Sequence, residues 1–216
     1  RPGAVMCNLL LADEINRTSS KTQSALLEVM EEGSVTIDGV TRVLPKPFLV
    51  IATQNPIGSV GTQMLPESQL DRFMIKLNMG YPDLQSEVDI LKARHSENPI
   101  DHVHQVASAE DIVRLQRQTE QIYVDDRIYN YIASLAQATR QHPMLRLGIS
   151  PRGTLALTAA AKATALLRGR DYVTSDDVRF MLRDVFAHRL LLSTKARMQE
   201  ITVEQVIGDV VRQVPV

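Results

Sequence analysis

Hydrophobic and polar positions follow two rhythms along this chain. Up to about residue 80, short apolar runs alternate with one helical stripe and one hairpin pattern, whereas residues 81–216 read almost entirely as helix. Asn8-Leu9-Leu10-Leu11-Ala12 is a continuous apolar run ending in Asp13 and Glu14. A run without alternation suits a strand buried on both faces of a parallel sheet. A helix is predicted from about Ser19, with Leu26, Leu27 and Met30 on one stripe and Gly33 as its C-terminal stop. In residues 35–43, Asp38-Gly39 stands between alternating β-branched residues, the strongest short-range signal for a tight hairpin. Residues 48–53 read as a second buried strand and residues 65–73 as a short helix. Residues 74–79 read as a third strand, closed by Gly80-Tyr81-Pro82.

Past Pro82 the period is that of a helix. Ile128, Ile132, Leu135 and Thr139 share one face, as do Val178, Met181, Leu182 and Val185. Ser150-Pro151 supplies an N-cap residue and a first-turn proline to a long Ala-rich helix that stops at Gly169. Thr174 or Ser175 caps the next helix, and Tyr123, Tyr129 and Tyr131 fall on helices as packing residues. The pattern predicts an α/β piece over residues 1–80 followed by an all-α piece over residues 81–216.

Composition narrows the function classes. With 44% hydrophobic residues the chain is not disordered, and its apolar runs fall far short of the roughly 20 residues that span a bilayer. Cys7 is the single cysteine, which excludes an intramolecular disulfide framework and fits a reducing, cytoplasmic setting. A net charge of −1 and the absence of Trp argue against a dedicated nucleic-acid surface. His102 and His104 lack a nearby third ligand and read as solvated loop.

Four positions can carry chemistry. Asp13 and Glu14 follow a buried strand, at the end where α/β sheets bind ligands. In nucleotide hydrolysis the first such carboxylate holds Mg²⁺ through water and the second activates water. The alternative is a strand that runs into a solvated acidic loop. Asn55 ends the next strand, where an amide can orient water or donate to phosphate, though Asn-Pro is also ordinary turn chemistry. Arg72 can reach a phosphate across a subunit interface or settle into a salt bridge with Asp71 or Glu67. Arg152 lies in the first turn of a helix, where a cation is unfavourable by up to about 1 kcal/mol. An anionic partner would explain it; bending into water is the other reading.

In their order these segments resemble the AAA+ ATPases, and most closely the MoxR family. Residues 8–17, Asn-Leu-Leu-Leu-Ala-Asp-Glu-Ile-Asn-Arg, look like the Walker B segment, and Ala52-Thr53-Gln54-Asn55-Pro56 is similar to the sensor-1 strand end. Leu65-Pro66-Glu67-Ser68-Gln69-Leu70-Asp71-Arg72-Phe73 resembles the arginine-finger stretch, and Ile149-Ser150-Pro151-Arg152-Gly153 the start of the sensor-2 helix. The hairpin then corresponds to the pre-sensor-1 insertion of the helix-2-insert clade. The resemblance implies part of a P-loop-type parallel sheet core followed by a helical lid. It implies Asp13 on Mg²⁺, Glu14 as base, Asn55 as sensor 1, Arg72 as a finger acting on a neighbour, and Arg152 as sensor 2 in its own subunit. Arg17 remains open as an intersubunit residue. ATP and Mg²⁺ are the implied cofactors. A hexameric, chaperone-like ring acting on partners with von Willebrand A-type domains is the implied assembly. A P-loop-less scaffold subunit and a related chelatase or DNA-remodelling motor are the rival readings.

The sequence contains no Gly-x-x-x-x-Gly-Lys-[Ser/Thr], the loop whose amides and lysine cradle phosphates. The expectation is therefore that these 216 residues are the C-terminal part of a longer ATPase, inactive when isolated. Their sheet is then expected to show an open edge and an uncovered apolar face.

Overall fold

In the computed structural model, residues 3–54, 65–93 and 99–216 are described. The first of them build a parallel strand pair, β1 (Leu9–Ala12) and β4 (Leu49–Ala52), in register from Leu9 opposite Leu49 to Ala12 opposite Ala52. Between them lie a short 3-10 turn (Ile15–Arg17), helix α1 (Ser20–Glu32), and an antiparallel hairpin of β2 (Ser34–Ile37) and β3 (Val40–Val43). Both strands end at the same edge of the sheet, so the residues after Ala12 and Ala52 emerge side by side.

Local chemistry explains these elements. The Ser19 side chain accepts from the Thr22 N–H to cap α1, and Gly33, at φ 61°, closes it in the left-handed region. Asp38 and Gly39 take φ 52° and 77°, the pair of positive values that a two-residue hairpin with native twist requires. Ile15, Leu27, Val29, Leu44 and Leu65 are buried. The strands differ from the expectation of burial on both faces. Leu9, Leu11, Leu49 and Ile51 all point to one side and are largely exposed, so the parallel pair is covered on one face only among the described residues.

After α2 (Glu67–Leu70) the expected third strand at residues 74–79 does not form. Its polar backbone turns instead to the helical part. The Lys76 N–H donates to the Asp184 carbonyl at 2.9 Å, and the Phe73 carbonyl lies 2.9 Å from His188 Nε2. An extended apolar run does not make a strand when its backbone partners sit on a helix.

Helices α3 (Leu84–Ala93), α4 (Ala109–Gln121), α5 (Asp126–Gln141), α6 (Pro151–Leu167), α7 (Ser175–Phe186), α8 (Thr194–Met198) and α9 (Val203–Gln213) make up the rest, with a 3-10 turn at Pro99–His102. The expected stripes form one core: Ile128, Ile132 and Leu135 of α5 meet Leu157 and Ala161 of α6, Val178, Leu182 and Val185 of α7, and Val210 of α9. Two small β contacts were not expected. The strand β5 (Leu145–Leu147) pairs antiparallel with β6 (Leu191–Leu192), and Tyr123 forms a bridge with Tyr172 rather than lying on a helix.

Asp177 opens α7 as a fully buried carboxylate. Arg168 and Arg170 bind it at 2.9 and 2.6 Å, and Thr174 gives it both N–H and hydroxyl bonds. Burial opposes its charge, but the bonds from Arg170 and Thr174 prevail and hold its pKa at about 2. Replacing it removes a cap and leaves two guanidinium groups facing each other. Asp177→Ala is expected to lower unfolding free energy by about 3 kcal/mol, read from the denaturant midpoint.

His188 behaves in the opposite sense. Burial lowers its pKa from 6.5 to about 4 against the hydrogen bond to Phe73, and the neighbouring Arg189 cation adds to the depression. The unfolded chain therefore takes up this proton first as pH falls. The stability that the neutral ring contributes is full above pH 6.5 and is lost as pH drops toward 4. Unfolding free energy should fall across that window, and His188→Gln should flatten the dependence there.

Candidate nucleotide-hydrolysis site

The carboxyl ends of β1 and β4 bring Asp13 and Thr53 together. The Thr53 hydroxyl donates to Asp13 Oδ1 at 2.6 Å and accepts from the Glu14 N–H at 2.8 Å. The Ile15 N–H donates to the Thr53 carbonyl, and the Thr53 N–H to the Ala12 carbonyl. Thr53 thus splices the two strand ends and fixes where both carboxylates start. Glu14 sits at φ 47°, ψ 50°, uncommon for a residue other than glycine, and strain of that kind gathers at functional sites. Its carboxylate meets Arg17 at 2.9 Å, so the residue left open by the sequence lies beside Glu14 within this chain. Asn55 lies outside the described residues. A carboxylate next to a hydroxyl, at the mouth of a parallel sheet, offers the hard oxygen donors that Mg²⁺ takes.

The two arginines stand elsewhere. Gln23, near the start of α1, donates to the Ile15 carbonyl beside the carboxylates, whereas Glu31 is about 12 Å further along the helix axis. Arg72 Nη1 lies 3.5 Å from Glu31 Oε2, and Arg152 Nη2 binds Glu31 Oε1. Arg72 does enter a salt bridge, but with Glu31 and not with either expected partner: Glu67 pairs with Arg146 at 3.5 Å, and Asp71 pairs with Arg189 at 2.9 Å. Arg152 finds the anion that its place at a helix N-terminus calls for. It does so on the same carboxylate as Arg72, rather than turning toward Asp13 and Glu14 of its own chain.

Sequence reasoning missed the residues behind these arginines. Arg189, with its side chain 2% exposed, donates Nε to Asp71 Oδ1 at 2.9 Å. Its other nitrogens reach the carbonyls of Asp71 (3.1 Å), Phe73 (2.6 Å), Met74 (3.1 Å) and Val185. Burial pulls its pKa below the ordinary arginine value, and Asp71 opposes this. Asp71 Oδ2 accepts from the Ser150 hydroxyl at 2.8 Å, and Ser150 caps α6 two residues before Arg152. The signal available in sequence was Asp71 next to Arg72, which read only as a partner for Arg72 itself.

Known proteins match both parts of the chain. Residues 1–75 match the model of the ATPase family associated with various cellular activities (AAA), and residues 137–210 match the AAA lid domain. The uncharacterised protein YeaC of Bacillus subtilis is 50% identical over all of this chain, which covers 68% of that protein. The chaperone MoxR1 of Mycobacterium tuberculosis is 43% identical over 98% of the chain, which covers 58% of its length. A crystal structure from Cytophaga hutchinsonii, described as a candidate ATPase, superposes with a TM-score of 0.94 at 36% identity, over all of this chain and 68% of that one. The chain spans roughly six- to seven-tenths of these relatives. With a parallel α/β core, a helical lid and these matches, the chain belongs to the MoxR family of AAA+ ATPases.

Proposed function

We propose that this chain supplies the Walker B carboxylates, the finger arginine and the helical lid of a ring-forming ATPase that remodels or matures other proteins. The observation that carries this reading is the meeting of Arg72 and Arg152 on the one carboxylate of Glu31, about 12 Å along α1 from the Gln23 contact beside Asp13 and Glu14. A pair of fixed guanidinium groups so far from the carboxylates of the same chain suits a site assembled from two subunits. One subunit brings Asp13 and Glu14; the next brings both arginines. The chain then divides near residues 80–82 into sheet core (1–80) and lid (81–216).

In that site Asp13 would hold Mg²⁺, which supplies charge neutralisation to the phosphates of ATP. Glu14, positioned through Thr53, accepts a proton from the attacking water. Asn55 orients that water as sensor 1. Arg72 and Arg152 bind the charge that develops on the transferred phosphoryl group, a task that suits guanidinium because it stays ionised and offers paired donors. The phosphate-cradling loop must come from residues other than these 216. We propose that without it they neither bind ATP tightly nor turn it over. A hexameric ring in the cytoplasm, chaperone-like in action as the name of the mycobacterial relative suggests, completes the reading. Von Willebrand A-type partners are the client class that it takes from the family resemblance.

The test is ATP turnover by the P-loop-bearing assembly. Glu14→Gln should lower kcat by about 100-fold or more while nucleotide still binds. Turnover near the wild-type rate in that variant would refute the base assignment. Turnover by the 216 residues alone, abolished by Glu14→Gln, would refute their dependence on a P-loop.

A further inference from the structure

Arg189 is an expensive residue to bury, and a leucine would fill the same space among the carbonyls at lower desolvation cost. What leucine cannot do is hold backbone. The guanidinium binds the carbonyls of Asp71, Phe73 and Met74, the residues on either side of Arg72 and one beyond. Its stem also runs along the start of α6. A Cβ added to Gly153 would come within 2.7 Å of the Ile149 side chain and 3.1 Å of Arg189 Cδ. Glycine therefore follows Arg152 where Ile149 and the Arg189 stem both pass close. Asp71 closes the arrangement, with one oxygen on Arg189 and the other on the hydroxyl of Ser150, the cap of the helix that carries Arg152.

We propose that Asp71 and Arg189 are positioning residues that lock Arg72 and Arg152 in register as one two-armed phosphate clamp. Neither touches phosphate. Asp71 is covalently next to one arm and hydrogen-bonded to the cap of the other; Arg189 fixes the main chain around the first arm and packs on the first turn of the second. The pairing makes the lid and the finger stretch move as a unit, so that both arms reach the neighbouring site together. A misplacement of about 1 Å at such a clamp is enough to cost about 100-fold in rate. The proposal rests on the reading of Arg72 and Arg152 as phosphate-facing.

The experiment measures kcat and KM for ATP in the P-loop-bearing assembly, normalised to assembled protein by size-exclusion chromatography. Asp71→Asn keeps the side-chain shape and one acceptor, while Arg189→Lys keeps charge without the fork; either serves if the other does not assemble. Each should lower kcat by about 100-fold, with KM changed by less than about threefold, because the lost interaction belongs to the transition state. On an Arg72→Ala/Arg152→Ala background, Asp71→Asn should remove less than about a further twofold, since nothing is left to position. Wild-type kcat in Asp71→Asn, with the double arginine variant inactive, would overturn the clamp and leave the arginine assignment standing. A further loss of about tenfold on the double background would mark a general structural role and overturn it as well. Wild-type turnover in the double arginine variant would remove the arginine assignment, and the clamp with it.

Discussion

The contact between Arg189 and Asp71 is the constraint on which the rest of this arrangement depends. A guanidinium that is 2% exposed has given up its water and must recover every lost hydrogen bond from protein. It does so from one carboxylate and four carbonyls that lie on two different parts of the chain. Such an interaction is all or nothing, since moving either part strands a buried charge. It explains why residues 74–79 do not become a strand, because the backbone at Phe73, Met74 and Lys76 is already committed to α7 and the residues after it. Gly153 belongs to the same tight region, because a Cβ there would collide with the Ile149 side chain at 2.7 Å and crowd the Arg189 stem at 3.1 Å.

At the other end of α1 the organising contact is smaller. Thr53 ties Asp13 and Glu14 to the end of the neighbouring strand, so the parallel register of β1 and β4 translates directly into the position of two carboxylates. That register is normally protected by cover on both faces. Here Leu9, Leu11, Leu49 and Ile51 present an apolar face with no cover among the described residues. The carboxylates and the arginines thus sit toward opposite ends of one helix, and among the described residues nothing covers the apolar sheet face beside the first of them.

Much of this was legible in residues whose preference is local. Ser19, Gly33, Asp38-Gly39, Ser150-Pro151 and Thr174 mark their caps and turns by backbone chemistry alone, and each element forms where they place it. The apolar stripes of α5 and α7 were legible for the same reason: a helix buries one face. Long-range pairing of charges was not legible. Glu31 reads as one of several exposed acids near the end of a helix, and Arg189 reads as one more base in a helical region. Nothing in either segment announces a partner more than forty residues away. Asp71 shows the limit most plainly, since adjacency in sequence suggested Arg72 while geometry gave it Arg189 and Ser150. Tyr123 failed for a related reason, as its bridge to Tyr172 depends on how α4 and α6 pack.

The central claim is that both arginines serve one site, on the neighbouring subunit. Mixed rings made from two inactive variants test it most directly. Glu14→Gln subunits mixed with Arg72→Ala subunits should regain ATP turnover, because some interfaces then combine an intact Glu14 with an intact arginine pair. Arg72→Ala subunits mixed with Arg152→Ala subunits should stay inactive, because every interface lacks one arm of the pair. Recovery of turnover in that second mixture would mean that Arg152 works within its own subunit, and would contradict the account.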